Sequence, residues 1–156
     1  MDIVIDFAEN GDIPRILELL KVVHKVHSDA RPDIFVPGAT KYSSEQVQEI
    51  LTNTALPVIV ARVSGVVVGY AMCKLLTPEY LRGERNHMLY IDDICVDEAY
   101  RGMGVGSKLY DAAKQYAREH NCYNITLNVW ELNEGAKKFY QKMGLVPLCT
   151  KLEYIL

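Results

Sequence analysis

Between residues 88 and 116 the chain passes from a strand pattern through a glycine-rich turn into a helix pattern. No other segment restricts the possible folds as much. Met88-Leu89-Tyr90-Ile91 and Ile94-Cys95-Val96 are apolar runs of strand type, interrupted by Asp92 and Asp93. Asp97-Glu98-Ala99-Tyr100-Arg101-Gly102-Met103-Gly104-Val105-Gly106-Ser107 follows. Val105, Leu109, Ala112, Ala113 and Tyr116 then recur on one helical face. A strand that turns through glycines into a helix presents unpaired N–H groups and the positive end of the helix dipole. Such a turn is an anion site, and its glycines let a phosphate approach the backbone closely.

Glycine spacing separates the common phosphate-binding turns. A P-loop needs lysine directly after its last glycine, whereas Ser107 follows Gly106 and Lys108 comes one place late. The dinucleotide fingerprint needs a third glycine where Ser107 stands, and an acid closing a second strand about 20 residues on. The next strand pattern, Asn124 to Val129, ends without one. Both patterns fail, which leaves R-x-x-G-x-G, carried by Arg101, Gly104 and Gly106.

That pattern resembles the acetyl-CoA-binding signature of the GNAT superfamily of N-acetyltransferases. A second segment strengthens the resemblance. After the strand pattern Leu127-Asn128-Val129-Trp130 come Asn133, Ala136, Phe139, Tyr140 and Gly144, in the family's order A-x-x-F-Y-x-x-x-G-F. Leu145 replaces the final phenylalanine. The strong likeness covers roughly residues 87–146, and the N-terminal half fits as general layout. The resemblance implies an α/β chain of α+β, GNAT-like type with helices on both faces of one mixed, mostly antiparallel sheet. That sheet would have about seven strands, in the order βααβββαβαββ.

The same resemblance assigns acetyl-CoA as cofactor. The strand Ile94, Cys95 and Val96 would take the pantetheine arm as an added strand. The N–H groups of Arg101, Gly102, Met103, Gly104, Val105, Gly106 and Ser107 would hold the pyrophosphate. Asn133 would bond the pantetheine or cap its helix, and both roles are compatible. Tyr140 matches the position whose hydroxyl faces the CoA sulfur.

Acetyl transfer to an amine needs a deprotonated amine, a polarised thioester and a proton for the leaving thiolate. Tyr140 suits the last task as a general acid. An amine near pKa 10 must lose a proton, and Asp92 and Asp93 are the acids beside the turn. Successive strand residues face opposite ways, so one of the two serves unless a bulge intervenes. Asn128 and Trp130 border the expected substrate pocket. Arg31 and Phe35 in the loop after the first helix, and Tyr80 and Arg82 before the fourth strand, are the candidates for acceptor choice.

The remaining chain reads as one domain over residues 1–156, with no linker or repeat. Strand patterns fall at 3–7, 57–63, 66–74, 87–96 and 124–130, and closing strands are expected near 145–149 and 151–155. Helices are expected from about Ile13 to His27, from Ser43 or Ser44, over 104–119 and over 133–142. A net charge of −3 gives no basic surface for nucleic acid. The alternating start, from Met1 to Phe7, has no basic region of a signal peptide, and no apolar run approaches the ~20 residues of a membrane span.

Cys73, Cys95, Cys122 and Cys149 are widely spaced, and three of them (Cys73, Cys95 and Cys149) lie in strand-like runs, which suits reduced thiols in the cytoplasm. His24 and His27 lack a third ligand nearby, so no metal is expected. The expected function is direct transfer from acetyl-CoA to a small-molecule or peptide amine, with no acyl-cysteine intermediate. A homodimer through the apolar C-terminal tail is allowed. The rivals are a non-catalytic acyl-CoA sensor and a nucleotide-binding protein.

Overall fold

The computed structural model describes residues 2–156; Met1, which opens the N-terminal alternating run, lies outside them. The elements are β1 (Val4–Phe7), α1 (Ile13–Ala30), α2 (Ser44–Thr52), β2 (Val58–Val63), β3 (Val66–Leu76), β4 (His87–Val96), α3 (Val105–Glu119), β5 (Cys122–Leu127) and α4 (Glu134–Lys142). Local chemistry explains their limits. Pro14 stands in the first turn of α1, where its missing N–H costs no helical bond. Ser43 caps α2, its hydroxyl accepting from the Gln46 N–H while the Gln46 side chain accepts from the Ser43 N–H. Ser64 and Gly65 join β2 to β3 with φ of 50° and 79°, the positive values a tight hairpin requires.

The sheet runs β1-β2-β3-β4-β5. Its first three pairings are antiparallel, and β4–β5 is parallel, with α3 as the crossover. Side chains alternate between two cores. Ile59, Ala61, Val68, Ala71, Cys73, Leu89 and Ile91 pack against α3, with Phe139 of α4 and Met143 just after it at the margin. Val58, Val60, Val67, Tyr70, Met72 and Cys95 pack against α1 and α2. Helices therefore cover both faces, as expected. Among the described residues no helix is long and apolar enough to cross a membrane.

The C-terminus corrects the expected fold. The sheet has five strands, not about seven, and the element order stops at α4 instead of continuing through two more strands. Residues 145–149 and 151–155 form none, and Cys149 is exposed rather than part of a strand. Leu145 still touches the α3 core, but Val146, Leu148, Leu152, Tyr154 and Ile155 are exposed. An apolar run becomes a strand only against a neighbouring edge, and Pro147 has no N–H for a ladder. Instead the tail is tied by Glu153 to Arg31 at 2.8 Å.

Candidate functional site

β4 changes character at Asp92. Through Ile91 it is paired on both sides, and Ile91–Leu127 is the last partnership with β5. Beyond that point only β3 accompanies it. The N–H of Asp97 reaches the Val68 carbonyl at 2.8 Å, so antiparallel alternation turns Cys95 toward β3. The polar backbone groups of Ile94 and Val96 then face the open edge. Arg101 Nε donates to the Val96 carbonyl from that side, at 3.1 Å.

In the turn after β4 the Arg101 N–H, expected on the pyrophosphate, goes instead to the Glu98 carbonyl at 3.3 Å, and the spare donors lie at the start of α3. Gly102 and Gly104 have φ of 76° and 83°, conformations that a side chain would strain. The first backbone bond into α3 runs from Lys108 N–H to the Gly104 carbonyl, so the N–H groups of Val105, Gly106 and Ser107 have no helical acceptor. Gly106 has a different reason. A Cβ there would lie 3.2 Å from the Phe139 ring, so the absent side chain lets α4 dock against α3. The two glycine and aromatic motifs of the sequence thus meet in space.

A bulge breaks the alternation at the two aspartates. Met72 pairs with Asp93 and Cys73 with Ile91, which leaves Asp92 as the extra residue. Both carboxylates then reach partners on the α1/α2 side. Asp92 accepts from the Tyr42 hydroxyl at 2.5 Å and meets Lys41 and Lys74, each at 3.0 Å. Burial pushes its carboxyl up, but these three partners outweigh burial and hold it below the usual range. Asp93 accepts from Tyr70 at 2.7 Å. There burial outweighs that hydrogen bond, and Asp93 is raised.

Tyr140, one residue past Phe139 on α4, is raised by burial and next by the negative charge of Asp93. Its phenol therefore stays protonated well past neutral pH. Asn133 caps α4, accepting the Ala136 N–H at 3.1 Å. Cys95 is buried toward α1, its thiol pushed up to about 12 by burial, with the sulfur 3.6 Å from the Leu19 carbonyl.

The acceptor candidates divide. Phe35 and Trp130 meet edge to face with centroids 5.2 Å apart, and His27 lies against Phe35 at 5.1 Å. With Arg31 and Asn133 they line one small hollow. Burial holds His27 below its ordinary value, and its charged form would feel Asp93. The Arg31 guanidinium is already taken by Asp33 and Glu153. Tyr80 is 70% exposed, with its hydroxyl 3.7 Å from the Met88 sulfur. Arg82 and Asn128 are exposed. Sequence reasoning missed Lys41, Tyr42, Tyr70 and Lys74, and underweighted His27. The one available signal was a polar Tyr70 and Lys74 at alternate positions of an otherwise apolar strand.

Residues 20–145 match the profile of the acetyltransferase (GNAT) family. The spermine/spermidine N(1)-acetyltransferase of Bacillus subtilis is 37% identical over 81 residues, which are 51% of this chain and 53% of that protein. The chain thus spans about half the length of that relative. The thialysine N-epsilon-acetyltransferase of Bos taurus is 28% identical over 156 residues, with 94% of this chain and 85% of that one covered. Among solved structures, a mutant of the Bacillus halodurans protein BH1408 superposes with a TM-score of 0.91 at 28% identity, covering 98% of this chain and 99% of that one.

Proposed function

This chain belongs to the acetyltransferase (GNAT) family, and from that premise we propose that it moves the acetyl group of acetyl-CoA directly to a primary amine. The observation that carries this reading is the unpaired half of β4. It runs from the free N–H groups at the start of α3 to the neighbourhood of Asp93 and Tyr140.

The residues fit the cofactor. The open-edge backbone of Ile94 and Val96 suits the amides of a pantetheine arm, and the start of α3 suits a pyrophosphate. Acetyl-CoA supplies the activated acyl carbon and a thiol leaving group. Asp93, raised by burial, accepts the amine proton through water. The two aspartates share a side, but Asp92 is held low by Tyr42 and two lysines, whereas Asp93 has no cation bonded to it among the described residues and suits a base better. Tyr140 Oη keeps its proton until the thiolate needs it. Cys95 lacks a base and is pushed up to about 12 by burial, which argues against a covalent acyl-enzyme.

Two finer points belong to the same reading. β5 is an edge strand and the tail beyond α4 exposes Val146, Leu148 and Leu152, so a second copy is the natural cover for both. Sedimentation of a chain truncated after Gly144 tests this: the full chain is expected as a dimer and the truncated one as a monomer. Four free cysteines suit a reducing, cytoplasmic setting.

The primary test is calorimetry with acetyl-CoA, ATP and NAD, followed by free-thiol release across an amine panel. Acetyl-CoA alone is expected to bind, and at least one amine to release thiol. Tight binding without turnover would mark an acyl-CoA sensor instead, and binding of ATP in place of acetyl-CoA would show the turn misassigned.

A further inference from the structure

Asp92 is outnumbered by cations. An ammonium has three N–H bonds to give. Lys41 directs one at the Asp92 carboxylate and one at the Asp92 main-chain carbonyl, 2.8 Å away. Lys74 directs one at the other carboxylate oxygen. Donors are left over on both side chains, which are 41% and 37% exposed above a carboxylate that is only 9% exposed. The group of three carries one net positive charge, and its cations stand on the solvent side.

The acids around it are occupied. Asp93 receives the Tyr70 hydroxyl, and Asp33 and Glu153 both receive Arg31. His27, against Phe35, is held toward its neutral form by burial first; the Asp93 charge opposes this and the Lys41 charge adds to it. Around Asp92 the sheet therefore offers an incoming molecule spare ammonium donors, beside one carboxylate, Asp93, that has a hydroxyl partner but no cation among the described residues. A linear polyamine that set one amine at Asp93 would bring its further positive charge against the exposed ammoniums of Lys41 and Lys74. An amine with an anionic group would instead meet donors held in place by Asp92.

We propose that the acceptor is an amine that also bears an anionic group, which Lys41 and Lys74 hold while the amine faces Asp93. This rests on the acetyl-transfer reading above and narrows its substrate class.

Matched pairs test it. L-lysine and cadaverine differ by a carboxylate; O-phosphoethanolamine and ethanolamine differ by a phosphate; spermidine is the polyamine control. The expected result is that at least one anionic member exceeds its neutral twin by about tenfold or more in kcat/KM. Whichever pair shows the preference identifies the anion as carboxylate or phosphate. Lys74→Gln should shrink that ratio severalfold, and Lys74→Arg, which keeps the charge, should preserve it. Acetyl-CoA affinity, set on the other side of β4, reports that each variant is folded. Faster turnover of spermidine than of every anionic amine, or a ratio unchanged in both Lys74→Gln and Lys41→Gln, overturns the substrate class and leaves the transferase standing. Acetyl-CoA binding without thiol release from any of the five amines overturns both.

Discussion

His87–Ile91 and Asp92–Val96 are consecutive halves of one strand with similar apolar content, yet they sit in different surroundings. The first half is flanked by β3 and β5, and Leu89 and Ile91 are buried in the α3 core. The second half has β3 on one side and an open edge on the other. A strand with two neighbours uses its N–H and C=O groups in the ladders and can contribute only packing. A strand with one neighbour has a row of donors and acceptors left for a ligand. One inserted residue, Asp92, and the end of β5 at Leu127 mark the change. The contrast predicts that changes in the paired half act on stability and changes around the open half act on chemistry.

The largest expected effect is at the turn that closes the open half. Gly104→Asp places a side chain at a φ of 83° and a negative charge among the free N–H groups. Strain of roughly 1–2 kcal/mol and the loss of the anion site together should lower acetyl-CoA affinity by ~100-fold or more. Calorimetry on the folded variant checks this, and retained affinity would mean that the cofactor lies elsewhere.

Tyr140→Phe removes one hydroxyl and keeps the ring beside Phe139. Turnover should fall by about 10²-fold with acetyl-CoA affinity nearly unchanged. A variant as fast as the parent across the pH range would remove Tyr140 from the chemistry.

Leu89→Ala is the counterpart in the paired half. Truncating this wholly buried side chain should cost about 3 kcal/mol of stability. Turnover per folded molecule should hold. A normal melting temperature with a lost kcat would erase the distinction between the two halves.

Asp93→Asn gives the smallest and most diagnostic change, about tenfold in kcat/KM. Its carboxyl is raised, so in the parent the rate should climb with pH through a limb above the ordinary carboxylate range. In the variant that limb should vanish. Persistence of the limb would pass the base role to another group, with His27 the first to examine.

The cofactor end of the site was legible in the sequence because it is local. Arg101, Gly104 and Gly106 lie within six residues, and their backbone makes the turn whatever else the chain does. Phe139 and Tyr140 were legible as a spaced motif, although their reason for being there, the fit of Phe139 over Gly106, needs two helices in contact. The bulge at Asp92 stood only as an alternative to strict alternation, because alternation in one strand says nothing of how many residues the partner strand supplies. The tail misled for the same reason. Residues 145–156 have the composition of strands, but composition cannot provide the edge on which a strand forms.

By itself, then, the sequence determined the segments whose structure is set by near neighbours: the glycine turn, the caps of α2 and α4, the hairpin at Ser64-Gly65 and the faces of α1 and α3. Only the tertiary structure decided which half of β4 stays open, that both aspartates share a side, and that Lys41 and Lys74 converge on Asp92 from positions 33 residues apart in the chain. Charges separated so far along the chain leave no local pattern, and they act on one another only after the sheet has brought them within hydrogen-bonding reach.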